Sequence, residues 1–432
     1  MKRVNVISMG CSKNLVDSER LLHRLSEGRV EAVHDAGGEW SGDAVVINTC
    51  GFIGDAKEES IDMILRACEA KSAGQIGAVY VMGCLSERYS ELLPGEIPEV
   101  DGWFGKFDFE DLVRELCPDV DASQRPWARD LTTPEWSAYL KIAEGCNRFC
   151  AFCAIPLITG RYKSRPKEEI LEEVRELVAK GVSEFNVIAQ DLSFYGCDIY
   201  GRHAIADLVD EMARIEGVEW IRLHYAYPTD FPYDLLPVMA RHPNVCKYLD
   251  IALQHSADGV LERMRRHITG AETKALLKRI RAEVPGIHIR TTLMVGFPGE
   301  SDEDFAELLD FVRSERFERM GAFAYCEEED TYAAKNYSDD VPEEIKQARL
   351  DRLMAVQEEI ALEHNSSKIG KRMRVLVESE NDGFYVGRSE FDSPEVDPEV
   401  LISKDDAQLR PGHFYEVEIT DAMPYELIAK VV

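Results

Sequence analysis

Short apolar runs alternate with amphipathic helical stretches over the first 118 residues. Strands rich in Val and Ile are predicted at 4–8, 44–48 and 78–82, because such runs suit strands that are buried on both faces. Helices are predicted over 14–26 and 57–68, where apolar residues recur at helical spacing. This alternation predicts a small doubly wound α/β domain over residues 1–118.

The segment 119–135 has no such periodicity, is rich in Pro, Asp and Ser, and is predicted to be a linker. Six further strand–helix units follow over 136–368. Their strands are predicted at 139–143, 184–189, 220–225, 248–253, 288–294 and 320–325. Six units predict a partial (βα)6 barrel, in which the chemistry is expected at the C-terminal ends of the strands.

The pattern changes again after Gly370. Five short strands, interrupted by Gly, Pro and Asp, are predicted at 373–378, 383–389, 399–402, 414–419 and 427–431. A series of short strands with these turn residues is typical of a small antiparallel β-barrel. We therefore expect an α/β protein that ends in a β-barrel domain over 369–432.

Composition narrows the choice of partners. The 432 residues include 50 Lys and Arg against 80 Asp and Glu, a formal net charge of −30. Nucleic-acid binding depends on basic side chains at the phosphates, so this charge favours a basic partner or none.

No run reaches the roughly 18 to 20 apolar residues of a membrane span. Residues 4–8 are too short for a secretory leader, so a cytoplasmic enzyme is expected.

The eleven cysteines are the next signal. An odd number in such a chain indicates thiolate ligands or buried thiols rather than disulfides. Cys146, Cys150 and Cys153 have the spacing C-x3-C-x2-C, and three thiolates can hold one 4Fe-4S cluster that keeps one iron open. A structural zinc loop is the alternative, but zinc would require a fourth ligand, and Cys197 is far along the chain.

A second triad is spread over the first domain. Cys11, Cys50 and Cys84 each follow a predicted parallel strand, and ligands bind at that edge of an open α/β sheet. Three unrelated buried cysteines are the alternative, which fits Cys68 and Cys117 because both lie within helical patterns. Three repeats of one strand-end position instead predict a second three-cysteine iron–sulfur cluster.

The C-x3-C-x2-C motif after the first barrel strand resembles that of the radical S-adenosylmethionine superfamily. Together with the dispersed triad and the terminal barrel, it is similar to the methylthiotransferase family over essentially the whole chain. This resemblance implies an N-terminal cluster domain, a radical S-adenosylmethionine barrel and a TRAM domain. It further implies two 4Fe-4S clusters, with S-adenosylmethionine as radical source and methyl donor. No side chain is then expected to act as general acid or base.

Three features favour the branch of the family that modifies a ribosomal protein. The segment from Gly10 to Glu19, GCSKNLVDSE, resembles that branch, whereas a Gln-Met pair usually follows the cysteine in the tRNA branch. Tyr425 begins a Tyr-Glu-Leu segment that resembles the branch's Tyr-Asp-Leu. Residues 371–432 hold seven basic and fourteen acidic side chains (7 − 14 = −7), which suits a basic protein better than tRNA.

The resemblance implies methylthio insertion at the β-carbon of an aspartate in the twelfth protein of the small ribosomal subunit. That protein, free or in the particle, and a reductant such as flavodoxin or ferredoxin are the expected partners, with no membrane and no tRNA. Alternative functions are a tRNA adenosine methylthiotransferase and a non-catalytic iron–sulfur protein that binds the ribosome.

Polar residues at or near the barrel strands are the predicted contacts to S-adenosylmethionine. They are Gln190, Asp191, Arg222, Gln254, Arg290, Gly296 and Glu300. For Gly296 and Glu300 the alternative is an ordinary turn, and for the other five it is a structural role such as capping a helix or pairing inside the barrel.

Overall fold

Parallel strands alternate with helices in the N-terminal part of the computed structural model, which describes residues 2–35, 40–120 and 125–432. The strands are β1 (Arg3–Ser8), β2 (Glu31–His34), β3 (Gly42–Thr49), β4 (Ile76–Gly83) and β5 (Gly102–Trp103). The helices are α1 (Ser12–Glu27), α2 (Gly54–Ser72), α3 (Cys84–Arg88), α4 (Leu93–Glu96) and α5 (Phe109–Leu116). The sheet order β2-β1-β3-β4-β5 confirms the doubly wound α/β fold.

Both faces of this sheet are buried, which explains its Val- and Ile-rich strands. Ala44 and Val46 face one apolar core, whereas Val45 and Ile47 face another on the opposite side. Successive side chains of a strand point to opposite faces, so a continuous apolar run fills both cores at once. The short edge strands β2 and β5 lack such a run and were not predicted.

The central part contains six parallel strands that pair with one another and one small hairpin. The strands are β6 (Ser137–Lys141), β7 (Ala143–Glu144), β8 (Lys163–Ser164), β9 (Glu184–Ile188), β10 (Trp220–Ala226), β11 (Val245–Ile251), β12 (His288–Val295) and β13 (Arg319–Ala324). The sheet order β13-β12-β11-β10-β9-β6 is open between its first and last strands, as expected for a partial barrel. The hairpin pairs β7 with β8. Residues 121–124 of the predicted linker lie outside the described residues.

Helices cover the outside of this barrel. They are α6 (Ile155–Thr159), α7 (Lys167–Ala179), α8 (Ile205–Met212), α9 (Leu235–Arg241), α10 (Asp258–Arg263), α11 (Gly270–Glu283), α12 (Asp302–Glu315), α13 (Tyr332–Asn336) and α14 (Glu343–Ser366). Thr269 and Ser301 form capping boxes that fix the starts of α11 and α12. Among the described residues, no helix is both long and apolar enough to cross a membrane.

The terminal part is a closed barrel of five strands. They are β14 (Arg372–Glu380), β15 (Phe384–Ser389), β16 (Glu399–Ser403), β17 (Phe414–Ala422) and β18 (Glu426–Val431). The order around the barrel is β14-β15-β16-β18-β17. The predicted small barrel is present, but β16 and β18 pair in parallel rather than antiparallel. Directions cannot alternate around a closed ring with an odd number of strands, so at least one pair must be parallel.

The terminal barrel packs against the N-terminal ends of the central strands. Arg388 forms two hydrogen bonds to Glu184, the first residue of β9, at 2.8 and 2.7 Å. Arg319, the first residue of β13, pairs with Asp392 at 2.6 Å. The C-terminal ends of the central strands therefore remain available on the opposite side of the barrel.

Candidate active site

One cavity of about 360 Å³ lies where the C-terminal ends of the N-terminal and central strands meet. Six of its lining residues are cysteines that come from two separate parts of the chain. They are Cys11, Cys50, Cys84, Cys146, Cys150 and Cys153. The two triads that the sequence predicted as separate groups thus share one cavity.

Three neighbouring strands position the first triad. Cys11 is the N-cap residue of α1, Cys50 directly follows β3, and Cys84 begins α3 directly after β4. Because β1, β3 and β4 are adjacent and parallel, their ends bring the three thiols to one edge. Gly10, at φ +83°, permits the close approach: a Cβ there would lie 2.6 Å from the Cβ of Cys50 and 2.8 Å from its Sγ.

A single loop after β7 positions the second triad. Gly145 begins the loop with φ +84°, a conformation that favours glycine. The amide of Cys146 donates to the carbonyl of Gly160 at 3.2 Å, and the amide of Ala151 donates to the carbonyl of Met264 at 2.9 Å. This triad is therefore held by contacts within the central barrel.

The thiols differ in how readily they ionise. Desolvation opposes ionisation of Cys11, but the ammonium of Lys13 and the backbone amide of Asn14 outweigh it and lower the pKa of the thiol. Burial raises the pKa of Cys84 and Cys146 to about 12. Thiols bind metal as thiolates, so these buried sulfurs need the positive charge of a metal group.

The thiols fit an iron–sulfur group better than a single ion. Cysteine thiolates are the usual ligands of iron–sulfur clusters. In the part of the chain that the structure describes, no three or more His, Cys, Asp or Glu side chains are close enough to hold one metal ion. Six cysteines line the cavity, and no described His, Asp or Glu does, which is a donor set that fits iron–sulfur chemistry.

The cavity is cationic although the chain as a whole is acidic. Lys13, Lys106, Arg148 and Arg266 line it, and none of the described Asp or Glu residues does. Lys106 pairs with Asp17 at 3.1 Å. Desolvation opposes the charge of Lys106, but Asp17 raises its pKa well above the usual range. The lining therefore suits anionic ligands.

Cys150 has two polar neighbours besides the other thiols of its triad. Arg266 donates to its Sγ at 3.2 Å, and the hydroxyl of Tyr227 lies 3.5 Å from the same sulfur. The guanidinium of Arg266 also lies over the Tyr227 ring, 4.1 Å from its centroid. Such donors to a cluster ligand adjust the reduction potential of the cluster.

Three of the predicted S-adenosylmethionine contacts lie at the cavity or directly behind it. Gln190 and Gln254 line the cavity. The amide of Gln190 donates to Glu144, and Gln254 has the strained φ of +73°. Asp191 does not line the cavity, but it accepts a hydrogen bond from Arg148 at 2.6 Å. Its role is to position that arginine.

The other four predicted contacts lie away from the cavity. Arg222 is fully buried, pairs with Glu184 at 3.3 Å and donates to the carbonyls of the last residue of β15 and of the residue after it. Arg290 lies 3.7 Å from Asp250 and 3.3 Å from Asp397. Both arginines precede the C-terminal ends of their strands, which explains their distance from the cavity.

Gly296 and Glu300 form a local turn. The amide of Gly296 donates to Glu300 at 2.7 Å, and Glu300 pairs with Arg349 at 2.8 Å. A Cβ at Gly296 would lie 2.3 Å from Cγ of Lys346 in α14. The turn thus fixes α14 against the barrel. This arrangement agrees with a structural role for Gly296 and Glu300, the alternative to contact with S-adenosylmethionine.

Sequence reasoning missed several lining residues. Arg148 lies inside the C-x3-C motif and Lys13 lies two residues after Cys11, so their proximity to the cysteines was a usable signal. Tyr225, Tyr227 and Arg266 carry no local signal. Only the fold brings these three residues to the cavity.

Comparison with known proteins now adds to this geometry. Residues 140–312 match the radical SAM superfamily, 369–432 match the TRAM domain, and 3–105 match the uncharacterized protein family UPF0004. A ribosomal protein uS12 methylthiotransferase RimO from Porphyromonas gingivalis is 59% identical, and the alignment covers 100% of this chain and 99% of that protein. A RimO from Parabacteroides distasonis is 57% identical at the same coverage.

The chain belongs to the RimO family of ribosomal protein uS12 methylthiotransferases. This membership confirms the predicted enzyme class, a radical S-adenosylmethionine methylthiotransferase, and the predicted ribosomal-protein branch. The radical SAM match also implies a 4Fe-4S cluster and S-adenosylmethionine as cofactors.

Solved structures support the fold. The methyltransferase TsrM from Kitasatospora setae, a radical S-adenosylmethionine enzyme with cobalamin and a [4Fe-4S] cluster bound, superposes with a TM-score of 0.57 at 14% identity. The match covers 77% of this chain and 74% of TsrM. The cobalamin-dependent S-adenosylmethionine radical enzyme OxsB superposes with a TM-score of 0.52 at 12% identity, over 83% of this chain and 56% of OxsB. At these identities the likeness concerns the fold alone.

Proposed function

We propose that this enzyme inserts a methylthio group at the β-carbon of an aspartate in ribosomal protein uS12. The observation that carries the proposal is the single cationic cavity lined by both cysteine triads. One triad alone would suffice for radical formation, whereas sulfur insertion requires a sulfur source beside the radical. A shared cavity supplies both at one substrate position.

The two triads have different roles in this proposal. Cys146, Cys150 and Cys153 hold the 4Fe-4S cluster that binds S-adenosylmethionine, and Cys11, Cys50 and Cys84 hold an auxiliary 4Fe-4S cluster. When bound, these groups supply an electron, a carbon radical that removes the substrate hydrogen, and the inserted sulfur, while a further S-adenosylmethionine supplies the methyl group. The electron comes from a reductant such as flavodoxin or ferredoxin.

The protein's own residues position these groups and the substrate. Arg266 donates to Cys150, and Arg148, fixed by Asp191, adds a second cation beside this triad. Gln190 and Gln254 remain proposed contacts to S-adenosylmethionine because they line the cavity. Arg222, Arg290, Gly296 and Glu300 are not retained in that role, because their side chains or amides contact other parts of the fold.

The charge of the terminal barrel supports a protein substrate. Residues 371–432 carry −7 by the count above, and Arg388, one of the seven basic residues, is buried against Glu184. The other six basic side chains are outnumbered by fourteen acidic ones, a balance that disfavours contact with the phosphates of a tRNA. We further propose the division into an auxiliary-cluster domain (1–118), a linker (119–135), a radical S-adenosylmethionine barrel (136–368) and a TRAM-like domain (369–432).

Mass spectrometry of uS12 from a strain that lacks this gene tests the proposal. We expect the methylthio-aspartate to disappear and to return with the wild-type gene but not with a Cys150→Ala variant. Methylthio-aspartate that persists without the gene would overturn the proposal. Loss of a methylthioadenosine from tRNA in the same strain would instead support the tRNA alternative.

Anaerobic assay of the purified enzyme separates catalysis from mere binding. With reductant, S-adenosylmethionine and uS12, the wild-type enzyme should form 5′-deoxyadenosine and methylthio-aspartate. A protein that only binds the ribosome would form neither product. Comparing isolated uS12 with intact small subunits then shows which form is the substrate.

A further inference from the structure

Three of the four cations that line the cavity have partners within the protein. Lys106 pairs with Asp17, Arg148 pairs with Asp191, and Arg266 donates to Cys150. Lys13 differs from all three: among the described residues it has neither a hydrogen-bond partner nor an ion-pair partner. Its ammonium instead lies 4.1 Å from the centroid of the Tyr225 ring.

Lys13 and Tyr225 approach the cavity from two different domains. Lys13 lies in the first turn of α1, two residues after Cys11. Tyr225 lies near the C-terminal end of β10, where the pairing with β11 shifts register. The pair therefore lies between the part of the cavity that carries the first triad and the barrel that carries the second.

Tyr225, whose ring lies beside Lys13, has a strained backbone. Its φ is +63°, a value that a non-glycine residue adopts at a cost and that concentrates at functional sites. The amide of Tyr225 donates to Asp250 at 3.4 Å. In this conformation the ring lines the cavity instead of packing in the barrel core.

We infer that Lys13 binds the carboxylate of the substrate aspartate, with Tyr225 beside it. This inference rests on the proposed function, because the reacting β-carbon is bonded directly to that carboxyl carbon. The carboxylate must then enter the same cavity as the reacting carbon. Glu144 lies behind the lining, where it pairs with Lys106 at 3.4 Å. No carboxylate among the described residues lines the cavity itself, so an entering carboxylate can reach the ammonium of Lys13 directly.

This placement also gives Lys13 a role in specificity. A charge-assisted hydrogen bond to Lys13 strengthens the binding of an aspartate. When the substrate side chain is neutral, the buried ammonium has no charged partner, and binding is weaker. An asparagine, which has almost the same shape, should therefore bind less well. Lys13 acts here as a substrate-positioning residue.

Equilibrium binding of recombinant uS12 to the reconstituted holoenzyme tests this inference. We compare natural uS12 with a form in which the modified aspartate is replaced by asparagine. Wild-type enzyme should prefer the aspartate form by about tenfold to a hundredfold, the range for one charge-assisted hydrogen bond. Lys13→Met should remove this preference, and Lys13→Arg should retain most of it.

Lys163→Met is the matched control. Lys163 is an exposed lysine of the central barrel that does not line the cavity, so the variant makes the same charge change elsewhere. It should bind both forms of uS12 as wild type does. Iron content and formation of 5′-deoxyadenosine without uS12 should match wild type in Lys163→Met, and the iron content of Lys13→Met is measured alongside.

Four results would overturn the inference. In the first, wild-type enzyme binds both forms of uS12 equally. In the second, Lys13→Met still prefers the aspartate form. In the third, Lys13→Met binds both forms more weakly by the same factor, and in the fourth it binds S-adenosylmethionine more weakly while its binding of uS12 is unchanged. If Lys13→Met loses iron, Lys13→Gln is measured, and iron loss in both assigns Lys13 to cluster retention and overturns the inference. A wild-type enzyme that never modifies uS12 contradicts the proposed function itself, which is a separate outcome.

Discussion

The two cysteine triads line the same cavity but are built in opposite ways. Cys146, Cys150 and Cys153 lie in one short loop that hydrogen bonds within the central barrel hold in place. Cys11, Cys50 and Cys84 lie at the ends of three different strands and meet only when the N-terminal sheet forms. A local triad depends on its loop, and a dispersed triad depends on a whole domain. Substitution of a ligand in one triad should therefore leave the cluster at the other triad intact.

The largest expected effect comes from removing one ligand of each triad in turn. Cys150→Ala should abolish cleavage of S-adenosylmethionine and product formation together. Cys50→Ala should abolish methylthio-aspartate but retain 5′-deoxyadenosine, and each variant should lose about four iron atoms, one cubic cluster. Iron assays and mass spectrometry of both products measure this.

Cys246→Ala is the control for these variants, because Cys246 is buried but does not line the cavity. It should keep its iron and both activities. Full iron retention in Cys50→Ala would remove the first triad from the proposed mechanism.

Gly10→Ala perturbs the dispersed triad without removing a thiol. The new Cβ would lie 2.6 Å from the Cβ of Cys50, and the positive φ of Gly10 costs a further amount of about 1–3 kcal/mol. We expect reduced iron at the first triad while S-adenosylmethionine cleavage persists. Iron per chain and 5′-deoxyadenosine yield are the measurements.

Gly74→Ala separates contact from strain. Gly74 has a similar φ of +72°, but a Cβ there would meet nothing within 4 Å. This variant should lose some stability and no iron. Equal iron contents in both variants would show that the approach of Gly10 to Cys50 is not needed for the cluster.

A smaller effect is expected from Arg266→Lys at the local triad. The guanidinium that donates to Cys150 stabilises the more negative, reduced cluster, so its loss should lower the reduction potential. We expect a decrease of about 60 mV, the equivalent of a tenfold change for one electron. An electron paramagnetic resonance titration measures it, with Lys163→Met as control. An unchanged or higher potential would contradict the role of Arg266.

The smallest effect is a difference in ionisation within the dispersed triad. Because the pKa of Cys11 is lowered and that of Cys84 is raised to about 12, iron-free protein should be alkylated at Cys11 first. Lys13→Met removes the cation that favours the thiolate, so the pH of half-labelling of Cys11 should rise. Mass mapping of labelled peptides across pH measures both. Parallel labelling of Cys11 and Cys84 would contradict this assignment.

The longer strands were predicted, whereas the short edge strands β2 and β5 and the parallel pairing of β16 with β18 were not. The predicted contacts that lie away from the cavity show a further limit, which concerns side chains. Arg222 lies four residues before Ala226, which lines the cavity, and four residues of strand span about 13 Å. A residue assigned to the right strand can thus be too far from its C-terminal end. Gly296 and Glu300 contact each other and α14, which is a tertiary feature without a local pattern.

Net charge gave only a partial description. The total of −30 favoured a basic partner, but it concealed a cavity lined by four cations and no described carboxylate. Long-range recognition and local ligand binding depend on different sets of charges, so a sum over the chain describes the first better than the second.

The sequence by itself determined the strand–helix alternation, the terminal barrel, the local triad and the family resemblance. Each of these depends on neighbouring residues, whose spacing is written directly in the chain. The tertiary structure alone decided that both triads share one cavity and that Arg266 and Tyr227 adjoin Cys150. It also decided that Lys13 lies over Tyr225 with no hydrogen-bond or ion-pair partner among the described residues. These pairings join residues from distant elements, and only the packing of the two domains brings such residues together.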